Sequence, residues 1–256
     1  MQHGDFTKLA HDYNKYRPSY SSKLIRIIKT YFKKKKIICA DIAAGTGIFS
    51  KKLLDHKLNL KYIIEPNKEM LSYSKLNLSK LNKIKFFQNY AERINIKDKS
   101  VDLITVASAF HWFDFNKSNK EFKRILRNDG VLALCWNSRS LSHDVVQMKI
   151  EKKISDLKGR SIKRKSSGKY IKHDQLRKKL FSTNIYKYVD YYETLDTIYV
   201  SKKKYIGAWK SVNDLQVQIG EKKFKLFINY IDKLIKKRQK IKMVYVNKLW
   251  IAKVKS

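Results

Sequence analysis

Glycine, proline and alanine are scarce: the 256 residues include eight Gly and two Pro, while Lys, Ile, Asn and Tyr crowd the chain. Such usage is what an AT-rich genome produces. No apolar run approaches the about 18 residues of a membrane span, and Met1-Gln2-His3-Gly4-Asp5 lacks a signal-peptide pattern, so neither a span nor a leader is expected. A CxxC zinc pair, nuclease-type metal spacing and a Ser-His-Asp elbow are all missing, which leaves no candidate metal site or hydrolase triad. Acid is in short supply too. Against 58 Lys and Arg stand 22 Asp and Glu, a formal charge of +36. Such a balance invites a nucleic-acid reading, because neutralising phosphates drives non-specific binding. Yet only ten of the basic residues are Arg, the better residue for bidentate recognition of phosphates and bases. The Lys skew favours codon bias over a selected RNA-binding surface.

What is present is a strand, a small-residue turn and a helix. Ile37-Ile38-Cys39-Ala40 is the short apolar run of a buried parallel strand. It breaks at Asp41-Ile42-Ala43-Ala44-Gly45-Thr46-Gly47 and resumes with helical spacing through Phe49, Leu53 and Leu54. Nucleotide-like ligands bind at such turns in open α/β sheets. Gly45 and Gly47 bring no side chain between backbone and ligand. A second apolar run, Leu60 to Ile64, ends on Glu65, 24 residues after Asp41. That is close to the spacing of about 20 at which an acidic residue meets ribose hydroxyls.

This stretch resembles motif I of the class I S-adenosylmethionine-dependent methyltransferases, Asp-x-Gly-x-Gly-x-Gly, with Ala43 replacing the first glycine. The resemblance continues in the family's order. Ile64-Glu65-Pro66-Asn67-Lys68-Glu69-Met70-Leu71 is similar to the second strand and ribose turn, and Ala91-Glu92-Arg93-Ile94 to the adenine-side loop. Ser100 to Thr105 reads as the fourth strand, Ala109-Phe110-His111-Trp112-Phe113 as the loop after it, and Arg124 to Gly130 as the approach to the fifth strand. Together these motifs cover roughly residues 5 to 137. The lead-in with Tyr13, Tyr16 and Arg17 is similar to the N-terminal lid of aconitate- and small-acid-type enzymes of this group.

The resemblance implies a Rossmann-like α/β fold: a seven-stranded, mostly parallel sheet with helices on both faces and a C-terminal cap insertion. Strands are expected at about 37–42, 60–65, 84–89, 101–107 and 130–136, and helices at about 21–32, 48–57, 67–80 and 114–127. Residues 1–36 would form a lid and first helix, 37–137 the cofactor-binding core, 138–238 a substrate cap with a sixth strand, and 239–256 the last strand. Residues 202–238 read as two helices. Lys158 to Lys179 carries ten basic residues and one acidic, either a mobile loop or an electropositive rim that draws in an anionic substrate. In the family's strand order Cys39 and Cys135 lie two spacings apart, about 10 Å, beyond the about 7 Å of a disulfide. Reduced thiols, and with them a cytoplasmic protein, are expected.

The implied cofactor is S-adenosylmethionine. Its contacts are assigned to Tyr16, Arg17, Asp41, Ala43, Gly45, Gly47, Glu65, Pro66, Met70, Ala91, Glu92 and Ala107. Glu65 would take two ribose hydroxyls, unless it is an exposed strand-end carboxylate. Asp41 would orient the turn or meet the cofactor's amino group. Arg17 would pair with the cofactor's carboxylate or a substrate anion, or else lie on the surface. His111 is either a general base facing the methyl or a structural hydrogen-bonder beside Trp112. Tyr13, Trp112 and Trp209 are candidate acceptor contacts, with Trp209 alternatively in the core. The expected activity is methyl transfer to a small molecule, chiefly at oxygen. An RNA or tRNA methyltransferase and a catalytically silent cofactor-binding protein are the alternatives. Oligomeric state is not legible.

Overall fold

The computed structural model describes residues 5–33, 36–78, 83–158 and 173–255. A seven-stranded sheet organises the chain in the order β3-β2-β1-β4-β5-β7-β6. The first five strands are β1 (Ile38–Ile42), β2 (Asn59–Ile64), β3 (Lys85–Phe87), β4 (Val101–Ala107) and β5 (Leu126–Arg139), all parallel. The long β7 (Lys240–Val254) runs antiparallel between β5 and β6 (Tyr186–Ser201). The strand order reverses between β1 and β4, and ligands bind at such reversals, beyond the strand C-termini.

Helices cover both faces. On one face α2 (Ser22–Thr30), α3 (Ile48–Asp55) and α4 (Lys68–Leu78) bury Leu24, Ile25, Ile28, Phe49, Leu53 and Leu71 against Cys39, Ile63, Leu103 and Cys135. On the other, α5 (Phe115–Ile125) and α7 (His173–Phe181) pack Phe122, Ile125 and Leu180 against Ile104, Leu132 and Trp250. Side chains alternate faces along a strand, so β4 and β5 feed both cores and read as continuous apolar runs. A short α1 (Ala10–Tyr16) precedes α2.

Beyond the sheet's C-terminal edge, α6 (Val145–Lys158), α8 (Lys202–Lys210) and α9 (Asn213–Leu234) form a third core with the outer halves of β6 and β7. Val146, Ile150 and Ile154 hold α6 there. This helix was not among those expected within the cap region 138–238: the four-residue apolar spacing makes it despite six charged residues. Likewise, Lys178 and Lys179 of the expected basic loop sit in the last turn of α7, and residues 159–172 of that segment lie outside the described residues. Residues 202–234 hold α8 and α9, and α9 is itself interrupted at Gly220, where φ is +76°. Cys39 and Cys135 are free and buried, with β4 between their strands. Among the described residues, no helix is long and apolar enough to cross a membrane.

Candidate active site

The turn after β1 is wound through left-handed backbone at Ala43 (φ +52°), Gly45 (φ +57°) and Gly47 (φ +82°). Asp41 secures its base. That carboxylate is fully buried and accepts hydrogen bonds from Ser50 Oγ of α3 at 2.6 Å and Thr105 Oγ1 of β4 at 2.7 Å. Burial raises its pKa from 3.8 to about 6, with the two hydroxyls pulling the other way.

The two glycines do different work. A Cβ on Gly47 would sit 2.9 Å from Ser74 Oγ and 3.0 Å from Leu78 Cδ1, so Gly47 lets α3 begin against α4. A Cβ on Gly45 meets nothing within 4 Å; it would project into open space. That space is a cavity of about 430 Å³ at the sheet's reversal point.

Glu65 stands at the cavity floor with its carboxylate committed on both sides. Oε2 accepts from the Gly45 N–H at 2.8 Å and Oε1 from the Asn67 N–H at 2.9 Å. Burial raises its pKa, those backbone donors oppose the rise, and the Asp41 charge adds to it. Each oxygen keeps a second lone pair for a ligand hydroxyl. Met70 and Ala91, both buried, line the cavity, as do Pro66, Ala107 and Ala43. Glu92 also lines the cavity, and its Oε1 accepts from the Asp114 N–H at 2.8 Å.

The N-terminal segment lines the cavity with Tyr13, Arg17 and Tyr20. Arg17 stacks on Tyr13 at 4.9 Å and donates through Nε to Ser211 Oγ at 2.8 Å and through Nη2 to the Ser211 carbonyl at 3.1 Å. Arg17 is therefore an anchored member of the lining, not a loose surface cation.

Tyr13, Arg17, Ala43, Gly45, Glu65, Pro66, Met70, Ala91, Glu92, Ala107 and Trp112 share the cavity. Tyr16, Asp41, Gly47, His111 and Trp209 do not line it. Tyr16 fills the space over Gly207 on α8, where an added Cβ would lie 2.2 Å from its ring. Both ring nitrogens of His111 are buried, and the ring packs 4.7 Å from Trp112 and 6.4 Å from Trp136, away from the place expected of a base. Trp209 is fully buried, edge-on to Phe227 at 5.2 Å. Between Trp209 and the cavity lies Arg139, its guanidinium 4.0 Å from the indole ring.

Several lining residues carried no sequence signal, among them Tyr20, Asn137, Arg139, Glu151 and Tyr245. Tyr20 donates its hydroxyl to Ser108 Oγ at 3.0 Å, and burial raises its pKa so far that the phenol stays neutral. Among the described residues no group of three or more His, Cys, Asp or Glu could hold a metal.

A methyltransferase-domain family profile matches residues 40–134, the strands and turns just described. Residues 40–134 thus carry a methyltransferase domain. It is 33% identical over 134 residues to a Dictyostelium discoideum protein named as a methyltransferase, covering 52% of this chain and 48% of that one. A Saccharomyces cerevisiae protein named as an S-adenosylmethionine-dependent methyltransferase is 32% identical over 127 residues, 47% and 43% of the two chains. The chain spans about half the length of the curated relatives it matches. A solved methyltransferase structure from Anaeromyxobacter dehalogenans has the same fold, with a TM-score of 0.68 at 14% identity, covering 94% of this chain and 99% of that one. The domain's cofactor is S-adenosylmethionine, and the residues present fit it: a Cβ-free position opening into the cavity at Gly45, and a buried carboxylate beside it at Glu65.

Proposed function

We propose that the protein transfers the methyl group of S-adenosylmethionine to a small-molecule acceptor, at oxygen, by in-line displacement. One observation carries the reading. One cavity is lined both by Gly45 and Glu65 and by the polar residues Arg139, Glu151 and Tyr245. Its volume of about 430 Å³ lies in the range of small-molecule sites.

The sulfonium cofactor supplies an electrophilic methyl; the chain's task is alignment and exclusion of water. Glu65 takes the ribose hydroxyls while holding Gly45 in its turn. Met70 and Ala91 pack against the adenine, and Glu92 lies at its amino edge. Arg17, held by Ser211 and Tyr13, offers a fixed positive charge to the cofactor's carboxylate or to a substrate anion. In this reading residues 37–137 hold the cofactor, and 1–36 with 138–238 cover the acceptor. Residues 239–256 complete the sheet. An acceptor carboxylate needs no base, which suits a site that His111 does not line.

The charge of +36 favours a second reading, methyl transfer to RNA or tRNA. The two free, buried cysteines support placement in a reducing compartment such as the cytoplasm. Incubating the full chain with methyl-labelled S-adenosylmethionine and a cell extract separates the readings. Label in the small-molecule fraction is expected. Label in RNA alone supports the second reading, and no label in either overturns both in favour of a silent binder.

A further inference from the structure

Three neighbouring strands carry polar side chains in one row that begins at the cavity. Asn137 on β5 lies directly opposite Asn247 on β7, which lies directly opposite Thr194 on β6. Directly paired residues share a face. The adjacent pair on that face, Arg139 and Tyr245, lines the cavity, as does Asn137. Asn247 is the fourth corner of this quartet and is fully buried.

The oxygens of the row are what make it unusual. Asn137 Oδ1, Asn247 Oδ1 and Thr194 Oγ1 are each buried and have no protein hydrogen-bond partner among the described residues. The amide orientations follow from the nitrogens: Asn137 Nδ2 donates to the Ser19 carbonyl at 3.3 Å and Asn247 Nδ2 to the Thr194 carbonyl at 3.4 Å. Buried polar atoms are nearly always paired, and a group left without a partner costs stability. Valine or leucine would complete the sheet here without that cost. Asn137 lines the cavity and the unpaired oxygens of Asn247 and Thr194 stand behind it, an arrangement suited to a group that brings its own hydrogen.

We propose that Asn137, backed by Asn247 and Thr194, is an acceptor subsite that receives a neutral hydroxyl of the methyl acceptor. The subsite rests on the methyl-transfer reading of the same cavity. A hydroxyl donates to Asn137 Oδ1, whereas a carboxylate has no hydrogen to give and meets amide oxygens with repulsion. Acceptor anions therefore belong at Arg17 or Arg139, and the row selects acceptors that carry a hydroxyl as well. Asn247 acts as a positioning residue, fixing Asn137 across the strand pair.

The test uses crystals of the full chain with S-adenosylhomocysteine, soaked in parallel with ethylene glycol and with acetate. A diol hydroxyl within hydrogen-bond distance of Asn137 Oδ1, with acetate absent from that place, is the expected result. Acetate on the row, water alone there in both soaks, or the diol bound equally well in Asn247→Leu crystals (an adventitious additive only) overturns the subsite. Thermal unfolding gives a second readout. Asn247→Leu removes an unpaired oxygen, so Tm should hold or rise by about 2–4 °C; a clear fall makes the row a structural element instead. Calorimetric binding of S-adenosylhomocysteine, unchanged in Asn247→Leu, keeps the two claims apart: its absence in the wild type condemns the cofactor reading itself.

Discussion

Glu65 and Gly45 hold each other in place: the carboxylate at the end of β2 accepts the N–H of the glycine at 2.8 Å, twenty residues back along the chain. The side chain expected to bind the cofactor is thus also a brace for the turn that admits it. Glu65→Gln keeps one acceptor oxygen but cannot serve both the Gly45 and Asn67 N–H groups. A stability loss of about 1–3 kcal/mol follows from the stranded donor, together with a roughly 10- to 100-fold loss of cofactor affinity. Denaturant unfolding and calorimetry read the two effects. Undiminished affinity in a folded Glu65→Gln protein removes the ribose assignment.

Gly45→Ala and Gly47→Ala should fail in different ways. Both positions are left-handed, so each alanine costs about 1–2 kcal/mol in backbone strain. At Gly47 the new methyl also meets Ser74 and Leu78, and the damage should show as a lower Tm. At Gly45 it enters the cavity, and the damage should show as weakened cofactor binding in a protein that still folds. Equal loss of Tm in the two variants contradicts this division.

Asp41 makes stability depend on pH. Its folded pKa of about 6 exceeds the ordinary 3.8, so the folded state holds the proton more tightly. The associated stability, on the order of 3 kcal/mol, is fully present below about pH 4 and lost as pH rises through about 6. Glu65, also raised by burial, contributes with the same sign. Asp41→Asn keeps groups that can bond Ser50 and Thr105, so unfolding curves across this window should flatten. An unchanged pH dependence shows that Asp41 is not the group being titrated.

His111→Gln should leave the pH profile of turnover unaltered in shape. The ring packs on Trp112 and Trp136 and does not line the cavity, so the variant should lose thermal stability instead. If the acidic limb of the profile disappears while the fold persists, the imidazole is the base after all.

Local pattern made half of the site legible. The turn from Asp41 to Gly47, the strand ending at Glu65 and the walls at Met70 and Ala91 all lie within a few residues of a periodic apolar run. Arg139 carried no such mark, because β5 runs past Asn137 only by pairing with β7, more than a hundred residues later, and the expected last strand did not say that Tyr245 and Asn247 would meet it there. Strand length there is decided by tertiary pairing and not by local propensity. Trp209 and His111 illustrate the converse limit. A position next to a motif does not say which way a side chain turns, and both turned into packed aromatic clusters. The helix at Val145–Lys158 was readable from Val146, Ile150 and Ile154, but its charge masked the spacing.

Calorimetric titration of the full chain with S-adenosylhomocysteine, at low and at moderate salt, tests the central claim most directly. One saturable site is expected, with an affinity that barely moves between about 50 and 200 mM salt, since a buried small-molecule site releases no condensed counterions. No saturable binding, or binding that collapses over that range as a phosphate-driven contact does, contradicts a cofactor held between Gly45 and Glu65.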